Sequence, residues 1–152
     1  MKKIKIKLAS ANSSEINILT LDLHQDLELI YGKGTIEEFA EENEKMLVFY
    51  VAYDDNETAV ACGALKHYDD QTAEIKRMYV KQKHRGRGLS KLILSELEDK
   101  ARELNYNRLV LETGLKQPEA MNLYSKFGYK PLKCFGRHAD DPDSRCFEKF
   151  QN

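Results

Sequence analysis

The sequence predicts a single α+β domain, a mixed sheet with helices on both faces. Three observations predict it. Several segments alternate apolar and polar residues with the period of two that a half-buried strand needs. Longer segments carry apolar residues at three- and four-residue steps, the stripe of an amphipathic helix. The two kinds interleave in the order β-α-α-β-β-β-α-β-α-β-β rather than as a regular β-α repeat. The 152 residues suffice for one domain, 1–152, with a substantial core, and 41% hydrophobic with 32% charged residues argues against disorder.

Each element has its own local reason. Ile4, Ile6 and Leu8 alternate with lysines as a first strand. Asn12, Ser13 or Ser14 can cap a following helix, in which Ile16, Leu19, Leu23, Leu27 and Ile30 form the stripe. Tyr31-Gly-Lys-Gly34 breaks that helix, and Thr35-Ile-Glu-Glu38 has capping-box form and opens a second, short one. Met46 to Tyr53 reads as a strand, Asp54 to Glu57 as a turn, and Ala59 to Tyr68 as the hairpin partner. Asp69-Asp-Gln71 turns into a strand over 73–81. Leu89, Leu92, Ile93, Leu97 and Leu104 line a helix ending near Asn105. Arg108 to Glu112 is a short buried strand, a helix follows from about Gln117 to Phe127, and strands lie near Tyr129–Phe135 and Arg145–Phe150.

Bulk properties exclude several classes. A net charge of −1 rules out a globally basic nucleic-acid binder, and the cluster Lys76 to Lys91 lacks aromatic stacking partners. Cys62, Cys134 and Cys146 are an odd number without C-x-x-C spacing, and His24, His67, His84 and His138 are scattered. No metal site is therefore expected, and three reduced thiols in a cytoplasmic protein are the simplest reading. The basic Met1 to Leu8 is followed by no apolar run, so no signal peptide is predicted, and nothing approaches the ~20 apolar residues of a membrane span.

The chemistry concentrates in Glu74-Ile-Lys-Arg-Met-Tyr-Val-Lys-Gln-Lys-His-Arg-Gly-Arg-Gly-Leu-Ser90. A strand runs into a basic turn spaced by Gly86 and Gly88, and the turn opens a helix. Such a turn lets the backbone approach a ligand closely, and the helix start presents free N–H groups and a positive dipole end to an anion. No G-x-x-x-x-G-K-S/T follows, and Lys91 stands where a dinucleotide fingerprint would put its third glycine, so both common nucleotide motifs fail.

Lys83-His-Arg-Gly-Arg-Gly88 resembles the pyrophosphate loop of the GNAT superfamily of acetyl-CoA-dependent N-acetyltransferases, Gln/Arg-x-x-Gly-x-Gly/Ala, with Lys83 departing at the first position. Gln117-Pro-Glu-Ala-Met-Asn-Leu-Tyr-Ser-Lys-Phe-Gly-Tyr129 resembles the family's second signature, at a family-like separation. Leu111-Glu-Thr-Gly114 and Asp143-Ser-Arg-Cys-Phe-Glu-Lys149 extend the likeness to a bacterial subgroup of mostly unassigned substrate. The resemblance covers roughly residues 45–150 well and the first third in outline.

The resemblance implies a mostly antiparallel sheet of the GNAT-like acyl-CoA N-acyltransferase fold. It implies acetyl-CoA as co-substrate, no metal, and transfer of acetyl to a primary amine by direct attack in a ternary complex. The acceptor would be a small-molecule or peptide amine; nucleic acid and membrane are not expected partners, and there is room for a homodimer. Met78, Tyr79 and Val80 would pair with the pantetheine arm beside a bulge, unless they are plain strand. Arg85, Gly86, Arg87, Gly88, Leu89 and Ser90 would hold the pyrophosphate, with solvated charge the plainer role for the two arginines. Tyr124 would also contact the cofactor and protonate its departing sulfur, although it shares a helical stripe with Ala120, Leu123 and Phe127 and can equally be core. A base must deprotonate the amine. Glu74 and Glu112, at the ends of central strands, are the candidates; the alternative is a solvated carboxylate paired with Lys76 or Arg77. His84 and His138 have no spacing to recommend them. Asp140, Asp141 and Asp143 would make an acidic rim for a cationic acceptor, or only a solvated turn. The competing function is a CoA-responsive binding module without turnover.

Overall fold

The computed structural model describes residues 3–32 and 42–151. Among them seven strands form one sheet in the order β1-β2-β3-β4-β5-β7-β6. The strands are β1 (Lys5–Ala9), β2 (Val48–Tyr53), β3 (Ala59–Asp69), β4 (Thr72–Val80), β5 (Arg108–Gly114), β6 (Lys130–Leu132) and β7 (Ser144–Phe150). Neighbours pair antiparallel except β4 and β5, which run parallel. Three helices are described: α1 (Ser14–Tyr31), α2 (Leu89–Glu103) and α3 (Pro118–Lys126). The short helix expected from Thr35-Ile-Glu-Glu38 lies outside the described residues.

Period-two alternation divides the strand residues between two cores. On one face α1 buries Ile16 and Leu19 against Phe49, Val51, Cys62 and Ala64. On the other, α2 and α3 cover Tyr50, Leu65, Ile75, Leu109, Leu111 and Phe147 with Ile93, Leu94, Leu97 and Tyr124. Ser13 caps α1, its hydroxyl accepting the Ile16 N–H at 3.3 Å, and Gly32 ends the helix at φ 94°. Leu23 and Leu27 turn toward a cavity rather than the sheet.

Some expected core positions are corrected. Leu8 on the edge strand β1 is 57% exposed. Leu92 and Leu104 lie off the buried side of α2 at 44% and 42%, so its stripe is carried by Leu89, Ile93, Leu94, Leu97 and Ala101. The strand expected over Tyr129–Phe135 shortens to Lys130–Leu132, where Pro131 has no N–H to donate.

The cysteine expectation is also corrected. Cys134 and Cys146 are disulfide-bonded with Cα atoms 5.1 Å apart, while Cys62 is free and buried. Pairing of β6 with β7 puts Leu132 opposite Cys146, which brings Cys134 beside it. Twelve residues of sequence separation had hidden the juxtaposition. Burial pushes the Cys62 thiol up to about 12, and its Sγ–H donates to the Arg77 carbonyl at 3.2 Å.

Between β3 and β4 the register slips. Cys62 faces Tyr79 and Ala64 faces Lys76, so Gly63 opposes both Arg77 and Met78 in a bulge. Arg77 takes a left-handed φ of 60° there. Its Nε donates to Asn43 Oδ1 at 3.0 Å, and Asn43 Nδ2 donates to Thr20 Oγ1 at 3.1 Å, which ties the bulge to α1. Gly63 is needed for space. A Cβ there would come within 2.5 Å of Ile93 Cγ2 and 2.7 Å of Met78 Sδ. Gly63→Ala is therefore expected to cost about 1–3 kcal/mol as α2 is pushed from the sheet. Thermal melting checks it, and an unchanged Tm would show that α2 yields without cost.

Candidate active site

Parallel pairing of β4 with β5 runs from Thr72–Arg108 to Ile75–Leu111, and both strands continue past it. Beyond that point they part. A cavity of about 530 Å³ opens at the parting. Glu74, Lys76 and Met78 of β4, Glu112 and Thr113 of β5, and Ala120 and Tyr124 of α3 line it. The end of α1 and the segment before β7, with Arg137, His138, Asp141, Asp143 and Ser144, complete the wall. The disulfide at Cys134 closes that segment onto β7.

At the far end of β4 lies the glycine turn. Gly86 and Gly88 adopt φ 80° and 77°, and a Cβ on either would meet nothing within 4 Å, so the cradle is open. Gly88 is the N-cap of α2, and among the described residues no side chain caps that helix. The first-turn N–H groups of Leu89 and Ser90 therefore face outward as donors for an anion. His84 beside the turn has a buried Nδ1 without a partner among the described residues. Arg85 is held elsewhere: its Nε donates to the Val80 carbonyl at 2.8 Å and its guanidinium pairs with Asp26 at 2.8 Å, anchoring the turn to α1. Arg87 is exposed at the turn. Met78 in the bulge and Tyr79 and Val80 after it form a part of β4 that lies beyond its pairing with β5. A strand edge of this kind accepts an extended amide-bearing ligand as an added strand. Open cradle, uncapped helix start and unpaired edge together fit the pyrophosphate and pantetheine of a CoA ester.

Burial raises two titratable groups in the cavity, Glu112 and Tyr124. Desolvation raises the Glu112 carboxyl above the usual carboxylate range, and Asp141 pushes the same way. The Ser144 hydroxyl, donating to Glu112 Oε2 at 2.8 Å, opposes the rise, as do Lys76 and Arg137. His138 Nε2 stands 3.8 Å from Glu112 Oε1. Tyr124 is buried with its ring edge-on to Tyr129, centroids 5.7 Å apart, and tilted against Phe147. Burial first, and then the Glu112 charge, push its phenol far above the ordinary value, so it keeps its proton. Glu74 is 8% exposed and sits 3.6 Å from Lys76 Nζ.

The structure thus brings Glu74, Glu112, Tyr124 and Met78 to one cavity, with Gly86 and Gly88 at its strand's end. Asp141 and Asp143 reach the wall, whereas Asp140 is not among the lining residues. Tyr31, Lys76, Arg137 and Ser144 line the cavity without having been singled out as site residues in the sequence, and His138, set aside there as a base for want of spacing, lines it too. Lys76 had a signal, since it lies two residues from Glu74 and so on the same face of the strand. Tyr31 had none; it reaches the site because α1 ends there, its hydroxyl donating to Gln117 Oε1 at 3.3 Å.

The comparisons agree with this architecture. Residues 15–129 match the acetyltransferase (GNAT) family model. The chain belongs to that family. It is 35% identical over 100 residues to YsnE, an uncharacterised N-acetyltransferase of Bacillus subtilis, covering 64% of this chain and 66% of the relative. It is 37% identical over 93 residues to the IAA acetyltransferase of Azospirillum brasilense, covering 60% and 61%. These matches therefore span a little under two thirds of each relative's length. Among solved structures, an acyl-CoA N-acyltransferase candidate from Klebsiella pneumoniae superposes with a TM-score of 0.80 at 28% identity over 98% of both chains. A GNAT acetyltransferase from Elizabethkingia anophelis with acetyl-CoA bound superposes at 0.75 and 22% identity, covering 97% of both, a likeness of fold alone.

Proposed function

We propose that this protein is an N-acetyltransferase that moves acetyl from acetyl-CoA to a primary amine by direct attack. One observation carries the reading: β4 and β5 part to admit Glu112 and Tyr124 to a single cavity, beside the open glycine cradle at the head of α2. Bound acetyl-CoA supplies the activated acetyl thioester. The Gly86–Ser90 backbone binds the pyrophosphate, and the free edge of β4 orients the pantetheine and offers N–H groups to the thioester carbonyl. Glu112 takes the proton of the acceptor amine, which attacks only when neutral. We favour Glu112 over Glu74 as base because Glu74 already has Lys76 beside it, while Glu112 is desolvated into a more basic carboxylate. Tyr124 keeps its proton for the leaving sulfur. The retained acid and base speak for turnover rather than for a CoA sensor.

Cofactor binding has a direct test. Gly88→Glu puts a side chain and a negative charge into the cradle and forces a left-handed φ on a non-glycine residue. Calorimetric titration is expected to show acetyl-CoA binding lost in a variant that still melts cooperatively. Unchanged affinity would take the cradle out of the site.

A further inference from the structure

The cavity wall carries more charge than acetyl transfer needs, and the charge is sorted. The Tyr31 phenol feels the negative charges of Glu112, Asp143 and Asp141. The Lys76 ammonium feels the positive charges of Arg77, Arg137 and Lys66. Glu112 feels both sides, Lys76 and Arg137 on one hand and Asp141 on the other. Glu74 beside Lys76 apart, the carboxylates therefore lie toward Tyr31 at the end of α1 and the cations toward Lys76 on β4, with the proposed base feeling both.

Lys76 is the unusual member. Its side chain is only 16% exposed and lines the cavity. A buried ammonium is costly unless its donors are satisfied, and it has three. Among the described residues the carboxylate in ion-pair range is Glu74, at 3.6 Å, beyond hydrogen-bond length. Burial accordingly pulls the lysine down, and Glu74 offsets this only in part. Arg77, by contrast, is committed to Asn43. The ammonium is thus desolvated on a wall of the proposed acceptor cavity, held by Glu74 at ion-pair distance only and with hydrogen-bond donors to spare.

Resting on the transferase reading above, we infer that the acceptor is a zwitterion, an amino acid whose amine lies toward Glu112, Asp141 and Asp143 and whose carboxylate docks on Lys76. Each alternative acceptor leaves part of the wall unmatched. A polyamine would set a second ammonium against Lys76 and Arg137. A neutral amine would leave Lys76 with Glu74 alone, at ion-pair rather than hydrogen-bond distance. A phosphorylated acceptor would bring two negative charges toward Glu74 as well as the three acids opposite. The acidic rim alone, as read from the sequence, favoured a polycation; the cations on β4 and at Arg137 reverse that preference.

The test pairs amino acids with their carboxamides, which keep the amine and lose the carboxylate, alongside a polyamine. Acetyl-CoA turnover is followed for each. The acid form is expected to lead in kcat/KM by about 10- to 100-fold, mainly through KM, the size of one charged hydrogen bond. Lys76→Met should erase the lead and Lys76→Arg should keep part of it. Equal or better carboxamides, a preferred polyamine, or a lead that survives Lys76→Met overturns the zwitterion while leaving the transferase standing. Calorimetric binding of the N-acetylated amino acids in the presence of CoA gives the second arm. Lys76-dependent binding without turnover of any acceptor would uphold the carboxylate site and sink the transferase.

Discussion

Glu112→Gln is expected to lower kcat/KM by about 10²- to 10⁴-fold, the range a positioned base contributes. The carboxyl is desolvated and hydrogen-bonded by Ser144, and its pKa is raised. A base works only when deprotonated, so the wild-type rate should climb with pH through this raised pKa, giving an acid limb above the usual carboxylate range. Replacement by Gln should remove that limb along with the rate. Stability moves the other way. A carboxyl whose native pKa is raised stabilises the fold below its unfolded pKa and loses that contribution as pH rises through the native value. Glutamine never ionises, and its side-chain oxygen can still accept from Ser144. The variant should therefore melt at least as high as wild type at neutral pH, with any advantage shrinking as pH falls. A slow variant with undiminished stability identifies a catalytic loss. A fast one would return the base to Glu74 or to water.

Tyr124→Phe should cost on the order of 10²-fold in kcat while acetyl-CoA affinity changes little. Phenylalanine preserves the edge-on packing on Tyr129 and the tilt against Phe147, so the core persists. What disappears is a phenol that burial and Glu112 keep protonated. The loss should shrink with an acetyl thioester whose thiol is more acidic, since such a sulfur leaves with less need of a proton. A variant within a few-fold of wild type, or a deficit blind to the leaving group, would leave Tyr124 as a packing residue.

Much of this was legible in the sequence, because the decisive stretch is continuous. A strand, a two-glycine turn and a helix within Glu74–Ser90 carry the cradle in local order, and local order survives folding. Helix starts were nearly as plain: of Asn12, Ser13 and Ser14 it is Ser13 that caps α1, and α3 begins at Pro118, one residue after the Gln117 expected. Less visible were features made by register between distant strands. Cys134 meets Cys146 only because β6 pairs with β7. Ser144 and His138 reach Glu112 because β7 lies beside β5 with Glu112 opposite Cys146. Periodicity also overstated the stripe of α2: Leu92 falls off its buried side and Leu104 is its C-cap, past the last helical residue, so both stay exposed.

A transferase site between the parted strands, worked by Glu112, must release thiol only as it acetylates an amine. Thiol release from acetyl-CoA, followed across a panel of amines with wild type and Glu112→Gln side by side, tests it most directly. Release that depends on the amine, matches an acetyl mass gain on that amine, and falls by about 10² or more in the variant is the expected result. No release with any amine, or release that ignores the amine and is equal in the two proteins, would contradict it.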